Sequence, residues 1–148
     1  MTIQPDGVVL SGFPRDAVRV VASRQSDDAA YVLLDTNPKG WRYLYGINCE
    51  RVDGRWNEGN SGNGSGWSRM GLEEDLGTLT LWGDVTSGAD RARTSFAGEQ
   101  FETAVVDGVY LFAWWRVPCP DAKMPRLEAL RVGGKWKRIA SARSDEDG

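Results

Sequence analysis

The run from Val109 to Val117 reads VYLFAWWRV and is apolar at nearly every position. Successive residues of a β-strand point to opposite faces, so a strand of this composition has to be covered on both sides. The adjacent Trp114 and Trp115 would then serve two different surfaces. The run is far shorter than the ~20 residues that a transmembrane helix needs. We therefore predict a central, buried strand from Val109 to Val117.

Glycine is frequent on both sides of this strand and stands between short apolar runs. It accounts for 18 of the 148 residues, well above the usual share of ~7%. Three dipeptides, Asp53-Gly54, Asp107-Gly108 and Gly133-Gly134, stand between short runs of apolar residues. Such pairs supply the positive φ angles that a type I′ turn requires. Each is predicted to be a two-residue hairpin turn, and the chain is predicted to be all-β.

Alternating side chains predict the remaining strands. These are Ala17–Ala22, Tyr31–Leu34, Trp41–Cys49, Gly77–Val85, Ala92–Phe96 and Leu127–Val132. With the strands beside the turns, the total is nine or ten. The odd positions of Trp41–Cys49 are predicted to face the core, and Ala92–Phe96 is predicted to be an edge strand. Because no long amphipathic helix separates these strands, we expect antiparallel connections and a β-sandwich rather than a closed barrel.

From Leu76 onward the pattern of short strands and turns resembles that of an immunoglobulin-like sandwich. The chain lacks the Cys…Trp…Cys spacing of that family. The resemblance implies an architecture and no particular activity. Residues 1–140 are predicted to form a single β domain. A flexible Gly/Ser/Asn loop is expected at 57–67, between two halves, and a disordered acidic tail at 141–148. Only Met70–Leu76 is compatible with a short helical turn.

Composition removes several classes of function. The chain has no histidine, the commonest general base and metal ligand. Two cysteines, Cys49 and Cys119, cannot form a four-cysteine zinc site and are expected to be reduced. No Rossmann or Walker A motif is present, and a net charge of −3 without a basic domain argues against nucleic acid. We expect no enzymatic activity, cofactor, metal or membrane contact, and a cytoplasmic location because no secretion signal is seen.

Seven tryptophans are the most unusual feature of the composition. Trp41 and one of the pair Trp114/Trp115 are assigned to the core. The candidate binding residues are Trp56, Trp67, Trp82 and Trp136, with Arg55 and Arg138 as polar neighbours. Exposed tryptophan and arginine side chains are the residue types that anchor protein interfaces. The sequence therefore predicts a non-enzymatic β-sandwich that binds a protein partner through surface aromatics.

Two other functions remain as alternatives. A carbohydrate- or small-ligand-binding module would use Trp56 and Trp67 around the 57–67 loop. A hydrolase with paired carboxylates needs no histidine, and its candidates are Glu50, Glu58, Glu73, Glu74 and Asp75.

Two polar stretches are interpreted as structural. One is the oxygen-rich set Asp53, Asn57, Glu58, Asn60 and Asn63, whose spacing does not match an EF-hand and suits turns better than calcium. The other is the basic run from Arg126 to Arg138, which is interpreted as the solvated face of a hairpin rather than an anion-binding strip.

Overall fold

The computed structural model describes residues 18–62, 65–69, 76–85, 87–118 and 124–139, without the side chains of 60–62 and 69. Within these ranges the chain forms eleven strands and no helix. The strands are β1 (Arg19–Gln25), β2 (Ala29–Asp35), β3 (Leu44–Val52), β4 (Arg55–Gly62), β5 (Gly66–Arg69), β6 (Leu76–Asp84), β7 (Arg91–Phe96), β8 (Glu99–Ala104), β9 (Val109–Pro118), β10 (Leu127–Val132) and β11 (Lys135–Arg138). The predicted all-β class is confirmed.

The strands form three sheets in which all paired strands are antiparallel. Sheet 1 is a meander in the order β1-β2-β3-β4. Sheet 2 has the order β5-β6-β9, and sheet 3 has the order β11-β10-β7-β8. The sheets pack on one another through their apolar faces, as expected of a β-sandwich.

Strand β9 takes part in both inter-sheet cores. Val109 and Leu111 pack with Leu33 of sheet 1, whereas Tyr110 and Phe112 pack with side chains of sheet 3. Sheet 2 is therefore the middle layer. Full burial of a side chain such as Leu111 stabilises the fold by about 1.5–3 kcal/mol. The prediction of a central strand covered on both sides is confirmed.

A third apolar cluster lies on the other face of sheet 1. Its buried members are Ala30, Val32, Leu34, Ile47 and Cys49. They come from alternate positions of β2 and β3, paired as Ala30↔Cys49 and Val32↔Ile47. Both faces of β2 are thus covered, which explains why every residue of this strand is buried.

The three predicted turns have the backbone that their glycines require. Asp53 and Gly54 have φ values of 54° and 78°, and Gly133 and Gly134 have 61° and 81°. These two turns join β3 to β4 and β10 to β11, which pair directly. The Asp107-Gly108 turn is different, because it joins β8 in sheet 3 to β9 in sheet 2. The bridge between Val106 and Val109, the valines that flank the turn, closes it.

Two predictions about individual segments are wrong. Residues 57–67 do not form one long loop, because β4 continues to Gly62 and β5 begins at Gly66. Strand pairing uses backbone groups, so a glycine-rich segment joins a ladder without apolar side chains. Ala92–Phe96 belongs to β7, which lies between β10 and β8 rather than at an edge. Its polar side chains mark the solvent face of an interior antiparallel strand.

Several predictions concern residues outside the described ranges. They are the short helical turn at Met70–Leu76, the acidic tail at 141–148 and the state of Cys119. Of the helical turn only Leu76 is described, and it is the first residue of β6. No helix in the part of the chain that the structure describes is long and apolar enough to cross a membrane.

Candidate interaction surfaces

Trp82 and Trp67 are both engaged in packing, although the sequence suggested that they were exposed. The Trp82 Nε1–H donates to the Tyr31 hydroxyl over 2.9 Å, and its ring packs in the core between sheets 1 and 2. The alternation of polar and apolar side chains along β6 predicted that Trp82 faces solvent, but sheet 1 covers that face. The Trp67 Nε1–H donates to the carbonyl of Val117 over 2.8 Å. Trp67 also lies so close to Gly77 that a Cβ there would be 2.7 Å from the indole.

Trp56 covers the outer cluster of sheet 1. It lies on β4, and its half-buried ring packs against the buried residues of that cluster. The guanidinium carbon of Arg51 lies 5.9 Å from the ring centroid, within the range of a cation–π contact. Arg55, one residue earlier, is exposed beside the β3–β4 turn. Trp56 and Trp67 therefore lie in different sheets rather than at the two ends of one loop.

Trp136 and Arg138 are brought together on the outer face of sheet 3. They are alternate residues of β11, opposite Arg131 and Ala129 of β10. The guanidinium carbon of Arg93 lies 3.8 Å from the centroid of the Trp136 ring, a close cation–π contact. Arg93 therefore covers one side of the indole, and the ring is half-buried.

The arginines on the inner strands of this face are paired with acids. Glu102 contacts both Arg91, at 3.3 Å, and Arg93, at 3.7 Å. Asp90 and Arg131 are joined by two hydrogen bonds of 3.1 and 2.8 Å. This pairing lowers the pKa of the Asp90 carboxyl and raises the pKa of Arg131. The arginines of β7 and β10 on this face thus belong to a charge-matched network.

Trp41 is the most exposed large apolar side chain among the described residues, with 91% of its surface accessible. This position contradicts its assignment to the core. The alternation that predicted a strand from Trp41 holds only from Leu44, where β3 begins. Trp41 belongs instead to the loop between β2 and β3. The turn-forming residues that precede it, Asn37 to Gly40, were the sequence signal for this loop.

Hydrogen bonds hold the loop that carries Trp41. One carboxylate oxygen of the buried Asp35 accepts from the backbone N–H groups of Asn37, at 3.0 Å, and Tyr43, at 3.2 Å. The Asn37 side-chain amide donates to the carbonyl of Trp41 over 2.8 Å. The N–H of Gly40 donates to the Asn37 carbonyl. Since Asp35 and Asn37 fix the backbone, the exposed indole is presented on an ordered support.

Two further exposed apolar side chains lie on this loop and near the end of β2, the strand that leads into it. Tyr43 and Val20 are 51% and 52% exposed. Tyr43 follows Trp41 on the loop, and Val20 lies on β1, opposite Leu34 near the end of β2. We call Trp41, Tyr43 and Val20 the aromatic patch.

Two observations concern the metal-ligating and nucleophilic side chains among the described residues. The described residues contain no group of three or more acidic or cysteine side chains arranged to hold a metal ion. Cys49 is a buried free thiol, and burial, assisted by the negative charge of Glu58, raises its pKa from 9.0 to about 12. The thiol is therefore protonated at neutral pH and is a poor nucleophile.

No protein-family model matches this chain, and no curated protein or solved structure matches it either.

Proposed function

We propose that this β-sandwich is a non-enzymatic module that binds another protein through the aromatic patch. One observation carries the proposal: Trp41 is 91% exposed on a loop whose backbone is fixed by Asp35 and Asn37. The exposed indole of Trp41 and the half-exposed ring of Tyr43, two residues further along the same loop, are apolar surface whose burial by a partner would stabilise a complex. Tryptophan and tyrosine are the typical anchors of protein interfaces.

The ordered loop supports binding for a second reason. A side chain on a mobile loop loses conformational freedom when it binds, and this entropy weakens the complex. Here the hydrogen bonds of Asp35 and Asn37 order the backbone in advance. We place the interaction in the cytoplasm as part of the proposal, and the buried free thiol of Cys49 is compatible with a reducing compartment.

The carbohydrate and hydrolase alternatives receive less support. The indoles of Trp56 and Trp67 pack against their own sheets and are not paired across a cleft. Two of the candidate carboxylates for a hydrolase, Glu50 and Glu58, are described. They lie on adjacent antiparallel strands, and no metal-binding group is found among the described residues. We therefore base the proposal on the aromatic patch alone.

The test compares three forms of the tagged full chain in quantitative affinity capture from a lysate of the native host. Trp41→Ala removes the indole, and Trp41→Phe keeps an aromatic ring. Val52→Ala is the matched control, because Val52 is also an exposed apolar residue but lies at the β3–β4 turn. A genuine partner should be retained by Val52→Ala, reduced for Trp41→Phe and lost from Trp41→Ala.

The purified partner then gives the affinity. We expect Trp41→Ala to weaken the complex by about 30-fold or more, the scale of an interface hot spot of ~2 kcal/mol. The melting temperature should stay unchanged, because the indole contributes little burial. Equal capture by Trp41→Ala and wild type would show that the aromatic patch is not the binding surface.

A further inference from the structure

The edge of sheet 3 carries a second feature that the aromatic patch does not use. Strand β11, Lys135–Arg138, is hydrogen-bonded to β10 and has no second neighbour among the described strands. Its sequence is Lys-Trp-Lys-Arg, and all three cations are exposed. No acidic group within the described ranges forms a salt bridge with any of them. The inner arginines of the sheet, by contrast, are paired with Glu102 and Asp90.

The cations of β11 are distributed over both faces of the sheet. Lys135 and Lys137 lie opposite Val132 and Leu130, whereas Arg138 shares the outer face with Trp136. A strand added beside β11 would also place its side chains alternately on the two faces. Acidic residues at consecutive positions of such a strand would therefore meet Lys137 on one face and Arg138 on the other.

We infer that β11 binds an extended acidic segment of a partner protein, which adds to sheet 3 as a further antiparallel or parallel strand. The free edge supplies backbone hydrogen bonds, as in other cases of strand addition. The three cations, which form no salt bridge with a described acid, supply charge complementarity, which selects an acidic run. The Trp136 ring, held by Arg93, supplies a flat apolar contact beside the cations.

Charged residues on an edge strand also prevent sheets from pairing with copies of themselves. The two roles are compatible, because a cationic edge repels an identical edge and attracts an acidic strand. Protection of an edge does not explain why the inner arginines of the sheet are paired with acids while the three cations of β11 form no salt bridge within the described residues. An acidic ligand accounts for this difference.

The experiment uses the full chain and synthetic, fluorescently labelled peptides. One peptide carries an uninterrupted run of Glu and Asp between β-forming residues, and a second carries Gln and Asn at the same positions. A third carries acids only at every second position. Fluorescence anisotropy gives the affinities, and hydrogen exchange reports amide protection in β11. We expect the uninterrupted acidic peptide to bind most tightly and to increase protection at residues 135–138.

The variant Lys137→Glu tests the charge on β11. Its matched control is Arg51→Glu, which makes the same change in net charge at an exposed position on β3. Lys137→Glu should weaken binding about tenfold or more and Arg51→Glu less than twofold, because exposed charges are screened beyond ~8–10 Å. Lys135→Glu serves as a second variant if Lys137→Glu does not fold.

Several outcomes would overturn the inference. Equal losses in Lys137→Glu and Arg51→Glu would indicate a general charge effect, and equal binding of the amide peptide would exclude recognition of acids. Unchanged amide protection would exclude strand addition. If neutralising Asp145, Glu146 and Asp147 alone lowers protection in β11 without peptide, the occupant is the chain's own acidic segment. A dimer that Lys137→Glu dissociates would identify a second copy.

The readouts for the two surfaces are separate. Capture of a partner depends on Trp41, whereas peptide binding is measured at β11. A negative result for Trp41 would therefore not refute strand addition at β11, and a negative result at β11 would not refute binding through Trp41.

Discussion

The indole nitrogen of Trp82 and the hydroxyl of Tyr31 form a hydrogen bond of 2.9 Å between sheet 2 and sheet 1. Tyr31 lies on β2 and Trp82 on β6, so the bond joins the two layers at their apolar interface. Burial raises the pKa of Tyr31, because the phenolate would have to form away from water. The bond gives the Trp82 indole N–H an acceptor within the packed interface, and the Tyr31 hydroxyl also bonds to the side chain of Thr80.

The variant Tyr31→Phe should lower the free energy of unfolding by about 1–3 kcal/mol, because the Trp82 N–H would stay buried without an acceptor. Urea denaturation followed by circular dichroism gives this value. Tyr110→Phe is the control, since no described residue forms a hydrogen bond with the hydroxyl of Tyr110. A loss of equal size in both variants would mean that the Trp82 bond contributes nothing specific.

Gly46 provides the space for the Tyr31 ring. A Cβ at Gly46 would lie 1.8 Å from the Tyr31 hydroxyl oxygen and 2.4 Å from Cζ. Gly46→Ala should therefore destabilise the protein by about 1–3 kcal/mol or more, as overpacked cores do. Gly59→Ala on β4 is the matched control, because its nearest neighbour, the Asn48 carbonyl, lies at 3.4 Å. Thermal melts of both variants compare the two positions, and equal melting temperatures would refute the packing argument.

The Cys49 thiol should make the fold sensitive to alkaline pH. Its ordinary pKa of 9.0 is raised to about 12 in the folded chain by burial and then by the charge of Glu58. Between these values the unfolded thiol has lost its proton and the folded thiol keeps it. The unfolded state then binds fewer protons, so the free energy of unfolding falls as pH rises above about 9.

The measurement for Cys49 compares wild type with Cys49→Ala from pH 8 to pH 10.5. The variant should start less stable, since it removes buried volume, but should lose less stability across this range. Thiol labelling with peptide mapping should also show slow modification of Cys49 in the folded state. Parallel pH profiles for the two proteins would contradict the prediction.

The turn between β7 and β8 contains a strained residue. Ala97 has a φ of 53° and is followed by Gly98 with a φ of 82°. A left-handed conformation costs an L-residue with a Cβ about 1 kcal/mol or more, and glycine and asparagine tolerate it best. Ala97→Gly or Ala97→Asn should therefore stabilise the fold by about 0.5–1 kcal/mol, measured as a higher urea midpoint. The opposite change, Gly98→Ala, should lower the midpoint, and a shift in the reverse direction for Ala97→Gly would disprove the strain.

Local features of the fold were predictable from the chain. The Asp53-Gly54 and Gly133-Gly134 turns form as expected, because positive φ angles depend on the residues in the turn itself. Trp114 and Trp115 point to different cores for an equally local reason, since neighbours on a strand face opposite ways. The Ala97-Gly98 turn was missed because alanine is not a usual residue at positive φ.

The candidate site was predicted only in part. The sequence placed three of the candidate tryptophans on exposed faces or turns, but the rings of Trp56, Trp67 and Trp82 are half-buried against the sheets. Trp136 and Arg138 do share one face, because they are alternate residues of a strand. Trp41 was assigned to the core by extending the β3 alternation across a loop, and periodicity carries no information where the strand has ended.

The sequence alone determined the β class, the positions of most strands and the backbone of the glycine turns, because these follow from steric limits and side-chain alternation within a few residues. Tertiary structure decided which strands pair and which faces are covered. The Asp107-Gly108 turn has the same local geometry as the Asp53-Gly54 turn, yet it connects two sheets instead of two paired strands. Trp82 is half-buried because sheet 1 packs against that face of β6, and the burial of apolar surface by segments distant in the sequence sets this arrangement.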